Sequence, residues 1–165
     1  MTVVADIRRM LLRELATFRR EVELFPDDET LWRTVPGVTN SAGNLALHIA
    51  GNLRHFVGAV LGGTGYVRER DAEFGTREGT RESVVKILEA AETEVGKILD
   101  GLDDAALAKP YTSGPKGVDV TGQRWLIHLA VHAGFHLGQA GYLRRVLTAN
   151  SATADTVSVK VLNDP

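Results

Sequence analysis

The chain has 165 residues, enough for one domain with a substantial buried core. Its 44% apolar and 24% charged content is ordinary for a globular protein, and a net charge of −2 with no basic run of interleaved aromatics gives no case for nucleic acid. Cysteine is absent, which excludes disulfides, zinc ribbons and a thiolate nucleophile and leaves any metal to His, Asp and Glu.

Residues 1–9 carry charges and no uninterrupted apolar stretch, so no signal peptide is expected, and no apolar run reaches membrane-spanning length. The expectation is a cytoplasmic protein with neither membrane nor nucleic acid as partner. Over residues 3–25, Val3, Ile7, Met10, Leu11, Leu15, Phe18, Val22 and Phe25 recur in steps of three and four between arginines. That period predicts an amphipathic helix, ended at Pro26. Residues 29–39, with Trp32, Pro36 and Gly37, read as a loop folding back on the core.

A second helix begins at Asn40 or Ser41, either of which can cap it, and runs to Leu61 before Gly62-Gly63. It carries His48 and His55, which share a face but stand about 10 Å apart along the axis, so only one can join a given ion. Asn44 and Asn52 lie one turn on either side of His48. Residues 64–79 form a polar connection containing Arg68, Arg70, Asp71 and Glu73, longer than a bundle turn needs. Thr80 or Ser83 caps a third helix reaching Leu102, residues 103–107 add a short turn, and 109–119 are loop. Thr121 caps a last helix to about Leu147. Residues 156–162 alternate like a strand, but a lone strand is not independently stable. The elements predict an all-α protein: a four-helix bundle over residues 1–147 with a long crossover between helices 2 and 3, then a tail over 148–165.

Three of the five histidines, His128, His132 and His136, form a stripe on the last helix. Each step of four residues turns about 40° beyond a full turn and climbs about 6 Å, so neighbours can share one ion while the outer two, about 12 Å apart, cannot. Spacing therefore allows either His128/His132 or His132/His136 as a chelating pair, with His48 or His55 as the third histidine. Ala133 follows His132, so the helix lacks the adjacent glutamate of an H-E-x-x-H metalloprotease.

The segment from His128 through His132, His136, Gly138 and Gln139 to Arg144 resembles the last-helix signature of the DinB/YfiT-like superfamily of proposed metalloenzymes. The segment from Asn44 through His48, Gly51 and Asn52 to Arg54 is similar to that family's first metal-histidine segment, and residues 68–74 resemble a loop of one subgroup. The likeness extends over about residues 5–147. It implies an up-down-down-up four-helix bundle and a divalent ion held by His48, His132 and His136, leaving His128 and His55 to line the pocket or hydrogen-bond beside the ligands.

Three neutral imidazoles with open positions suit a catalytic ion, Zn²⁺ or Ni²⁺, able to activate a bound water or a substrate thiol. The family's activities imply hydrolysis or transfer with a low-molecular-weight thiol on a small-molecule substrate, and its members imply a homodimer. Asn44 and Asn52 are expected to line the pocket, and Gln139 to reach a neighbouring helix. Glu73 and Asp71 are candidate general bases that can instead pair with Arg68 and Arg70, and Glu73 can also close the metal sphere. Gly134, Gly138 and Gly141 suggest close helix approach inside the bundle or across a dimer interface. The competing reading is a non-catalytic bundle with a structural or sensory metal, of the kind a stress-response protein would carry.

Overall fold

Each long helix opens on a hydroxyl cap. In the computed structural model, which describes residues 2–114 and 119–154, α1 spans Val3–Glu23 and starts where the Thr2 hydroxyl accepts from Ala5 N. Its apolar stripe, Ile7, Leu11, Leu15, Phe18 and Val22, is buried, as the three-four period demands. Asp27 then caps a short helix, α2 (Asp28–Trp32), by accepting from Thr30 N at 2.7 Å. This corrects the expected loop over 29–39: a five-residue helix is too short to declare itself by periodicity. Trp32 packs its ring against Gly43 and donates its indole N–H to Gly79 O at 2.7 Å.

α3 (Ala42–Leu53) begins in a capping box. The Ser41 hydroxyl accepts from Asn44 N, and Asn44 Oδ1 accepts from Ser41 N. After Leu53 the chain stays helical but widens into a π-helix over Arg54–Leu61, ended by Gly62 against Ile98 and by Gly63 at φ +63°. The wider turn is absent from any sequence expectation; π segments are rare and gather at functional sites. The connection after it is not loop throughout, because Arg70–Gly75 forms α4. α5 (Arg81–Asp100) follows from a Thr80 cap, α6 (Asp104–Leu107) is the expected short turn, and α7 (Gly122–Thr148) starts at Thr121.

The described residues contain helices and no strand. α1 packs against α5 and α7, α3 against the same two, and α4 lies on α3. Leu11, Leu15, Phe18, Leu53, Leu88 and Leu126 are fully enclosed between them. Arg144 is also fully enclosed, 0% exposed; its Nε donates to Glu21, and its other nitrogens hold the carbonyls of Asn150 and Ala152. Arg20 Nε holds Ala154 O at 3.0 Å. The start of the tail is thus stitched to α1 and α7, while the strand-like 156–162 lies outside the described residues.

Candidate metal centre

The site is assembled from α3, α4 and α7. Asn44, already capping α3 with its Oδ1, donates its Nδ2 to the carbonyls of Glu73 and Thr76 at 2.9 and 2.8 Å. Those two hydrogen bonds fix α4 against α3. The Glu73 side chain then enters the space left by Gly51, where a Cβ would overlap its Oε1. Arg68 closes on the carboxylate from the other side, Nε to Oε1 and Nη2 to Oε2, both at 2.7 Å. Glu73 Oε2 also accepts from His48 Nδ1 at 3.0 Å. Arg68 Nη2 stands 3.1 Å from the same nitrogen; with the Nδ1 proton given to the carboxylate, which can only accept, His48 presents its Nε2 lone pair to α7.

Across the groove, His132 and His136 stand one turn apart. His132 Nε2 lies 3.4 Å from His48 Nε2 and 3.0 Å from His136 Nε2, and the three ligand nitrogens all fall within 4.8 Å of one another. His136 Nδ1 donates to Gln139 Oε1 at 2.7 Å, so this ring too carries its proton outward and its Nε2 lone pair inward. Metal–nitrogen bonds of 2.0–2.1 Å at tetrahedral angles separate two ligand nitrogens by about 3.3 Å. The donor set therefore fits a divalent ion in both spacing and chemistry, and the outward hydrogen bonds are the supports that ligating histidines usually have.

The electrostatics agree. Burial pushes His132 down to about 4, helped by the neighbouring imidazoles of His136, His48 and His128 and by Arg68. Burial lowers His136 as well, with His48 adding to it against the Gln139 hydrogen bond. Burial alone would raise the Glu73 carboxyl, but the hydrogen bonds from Arg68 and His48 outweigh it and hold it below the usual range. His132 and His136 are thus neutral and Glu73 ionised at neutral pH, the protonation states that metal ligation uses.

Other expected site residues are placed differently. Both oxygens of Glu73 are engaged by Arg68 and His48, so it stands behind a ligand instead of facing the ion. Asp71 is exposed at the start of α4, without a hydrogen bond to the described residues. Asn44 joins the cap and the α4 carbonyls instead of lining a pocket. His55 packs against Phe56, ring centroids 4.8 Å apart, and is not one of the three converging histidines. His128 is exposed, stacked between Trp125 at 5.1 Å and His132 at 6.1 Å. Gln139 bonds within its own helix to His136. Gly138 has open space where a Cβ would stand, and Gly134 only ordinary contact with Glu14, so close approach inside the bundle accounts for neither.

The sequence assigned no role to Gly51, Phe74 or Tyr111. Phe74 lies over the His48 ring at 4.6 Å. Tyr111 stacks on Trp125 at 5.6 Å and donates its hydroxyl to Phe56 O at 2.7 Å. A glycine inside a helix three residues after a histidine ligand was the available signal for Gly51, since it gives up about 1 kcal/mol of helix propensity.

No helix of the described residues is long and apolar enough to cross a membrane. A sequence profile of the DinB superfamily matches residues 10–140, most of the chain, including all three converging histidines. No curated protein and no solved structure matches the chain.

Proposed function

This chain belongs to the DinB superfamily, and from that membership and its three converging imidazoles we propose that it is a divalent-metal-dependent enzyme acting on a small molecule. His48, His132 and His136 would hold the ion, Zn²⁺ or Ni²⁺ being the metals that three neutral imidazoles suit. When bound, such an ion lowers the pKa of a water or a substrate thiol and supplies a nucleophile near neutral pH, serving hydrolysis or thiol-dependent group transfer. Glu73 holds the His48 proton at Nδ1 and keeps that ring from turning. Gln139 does the same for His136. Phe74 covers one face of His48 and limits water on that side.

The bundle order we adopt is up-down-down-up. It is supported by side-chain pairings along the rods: Arg8 with Asp100 and Arg19 with Glu92, Glu14 beside Gly134 and Glu21 with Arg144, His48 with His132 and Phe56 with Trp125. A cytoplasmic location and a homodimer belong to the same proposal. For the dimer, the support is a ridge of exposed apolar side chains on α7: Ile127, Val131, Phe135, Tyr142 and Val146.

The observation that carries the metal reading is the meeting of three Nε2 atoms, two of whose rings have their Nδ1 protons tied outward. It favours an open, catalytic ion over a closed structural one because no carboxylate joins the three-histidine group among the described residues. The test is elemental analysis of protein purified without a metal-affinity tag, beside His132→Ala and His55→Ala. Wild type and His55→Ala should hold about one equivalent of metal and His132→Ala none. Equal losses from both variants, or no metal in wild type after reloading with Zn²⁺ and Ni²⁺, would overturn the assignment.

A further inference from the structure

The groove that holds the triad continues past it along both helices. His48 meets His132 and Phe56 meets Trp125, so the pairings run in opposite senses, and the turn before His48 faces the turn after His136. Leu45 and Gln139 stand on those two turns, and both line one cavity of about 440 Å³, a size usual for a small-molecule site. The cavity therefore begins about one turn, roughly 5 Å along the axis, from the level of the ligands. It extends along α7 through Leu143 to Val146. To the other side of the triad, Asn52, one turn after His48, is buried with its Oδ1 closed to solvent. A molecule too long for the surroundings of the ion thus finds its room on the Leu45 side.

The walls of this cavity share one chemistry. Leu45 and Leu143, both buried, form its floor. Val38 forms one side: the chain turns there as Val38 N donates to Val35 O at 3.0 Å, with Gly37 at φ +83°, a conformation that glycine adopts without strain. Tyr142 and Val146 form the other side, and Arg145 lies against the Tyr142 ring at 4.9 Å without lining the cavity itself. Among the described residues, none that lines the cavity carries a charge, and Gln139 is already engaged with His136. An ionised group entering here would lose water and gain no counter-charge from the walls. An apolar group would gain about fourfold in affinity for each methylene buried.

Resting on the metal reading above, we infer that this cavity is the subsite for an uncharged apolar arm, alkyl or aryl, of the substrate whose reacting atom sits on the ion. What assigns that occupant is the continuity of the cavity with the triad along both helices, together with its uncharged lining. Val38, Leu45 and Leu143 determine specificity by contact in this scheme and take part in no bond-breaking step.

The test uses the full chain loaded with Co²⁺ and three thiols: ethanethiol, too short to pass one helical turn; 1-hexanethiol, which reaches the cavity; and 6-mercaptohexanoate, of the same length with an anionic end. The readout is the thiolate-to-cobalt absorption band, titrated to a Kd. Wild type should bind 1-hexanethiol at least about tenfold more tightly than ethanethiol, and 6-mercaptohexanoate at least about threefold less tightly than 1-hexanethiol. Val38→Asp, at an exposed position of the loop, puts a charge into the cavity. It should remove most of the hexyl preference while leaving the Kd for ethanethiol within about twofold. The wild-type comparisons stand by themselves if the variant does not fold. Cobalt held with no hexyl preference, with an equal preference for the anionic thiol, with a preference that Val38→Asp leaves intact, or with no thiol band overturns the subsite alone. A dimer split by 1-hexanethiol in sedimentation velocity would give the cavity to a second copy of the chain and overturn it likewise. Failure to hold cobalt overturns the metal reading and the subsite with it.

Discussion

The carboxylate of Glu73 occupies the space that a side chain at Gly51 would fill: a Cβ there would stand 3.0 Å from the Glu73 Cδ and overlap its Oε1. Because Arg68 and His48 fix both oxygens, the carboxylate has little freedom to step aside. Gly51→Ala should therefore lower metal affinity even though alanine is the better helix former by about 1 kcal/mol. Competition against a chromophoric chelator reads the effect, and an unchanged affinity with a raised Tm would mean that Glu73 moves freely.

Removing the charge from Glu73 tests the same support directly. Glu73→Gln should weaken metal binding by about 10- to 100-fold, the usual range for a group that orients a ligating histidine. Stoichiometry at saturating metal should stay the same. A complete loss of binding would make Glu73 a ligand, and no change would remove it from the site.

The low value of His132 has a stability consequence in the metal-free protein. Its folded value of about 4 lies below the ordinary 6.5, so between these limits the unfolded chain takes up a proton that the folded chain refuses. The stability that comes from keeping the ring neutral is fully present above about 6.5 and is lost as pH falls toward about 4. The urea midpoint of the apo-protein should drop through that window more steeply in wild type than in His132→Leu. Parallel profiles would show that the ring titrates normally.

Arg144 and Glu21 form an enclosed pair, and breaking one side leaves the other charge without compensation. Arg144→Met should cost about 3–5 kcal/mol, and adding Glu21→Leu should recover much of that loss. Denaturant unfolding of the three proteins measures both steps. An Arg144→Met variant within about 1 kcal/mol of wild type would show that the pair contributes little.

The exposed ridge of α7 gives a further expectation. Val131 is 67% exposed and Phe135 61%, and a charge at either position would be unwelcome only if something apolar faces it. Val131→Glu with Phe135→Glu should convert a dimer to a monomer in sedimentation velocity without loss of helical signal. A wild-type protein that is monomeric at every concentration would exclude the dimer.

Long helices were legible in the sequence from their apolar stripes, joined in three of them by a hydroxyl able to cap, at Ser41, Thr80 and Thr121. α2 and α4 were not, because five or six residues do not establish a period. The π-helix left no trace either, since residues 54–61 have an ordinary helical composition. At the site, the spacing of His132 and His136 marked a chelating pair, but spacing alone left His128 and His55 as rivals, and the family resemblance made the choice. The groups behind the ligands were hidden for a different reason. Glu73 is significant only through Gly51, Arg68 and Asn44, a relationship that exists once α4 has folded back on α3.

Asn44 joins the first turn of α3 and the main chain of α4 through a single amide, one end in the cap and the other on two carbonyls. These two stretches, nearly thirty residues apart in sequence, are therefore expected to open and close as one cooperative unit. In amide hydrogen exchange, the protection of Leu45 and of Thr76 would rise and fall together. The fraying of one helix end would then set how often the carboxylate behind His48 lets go.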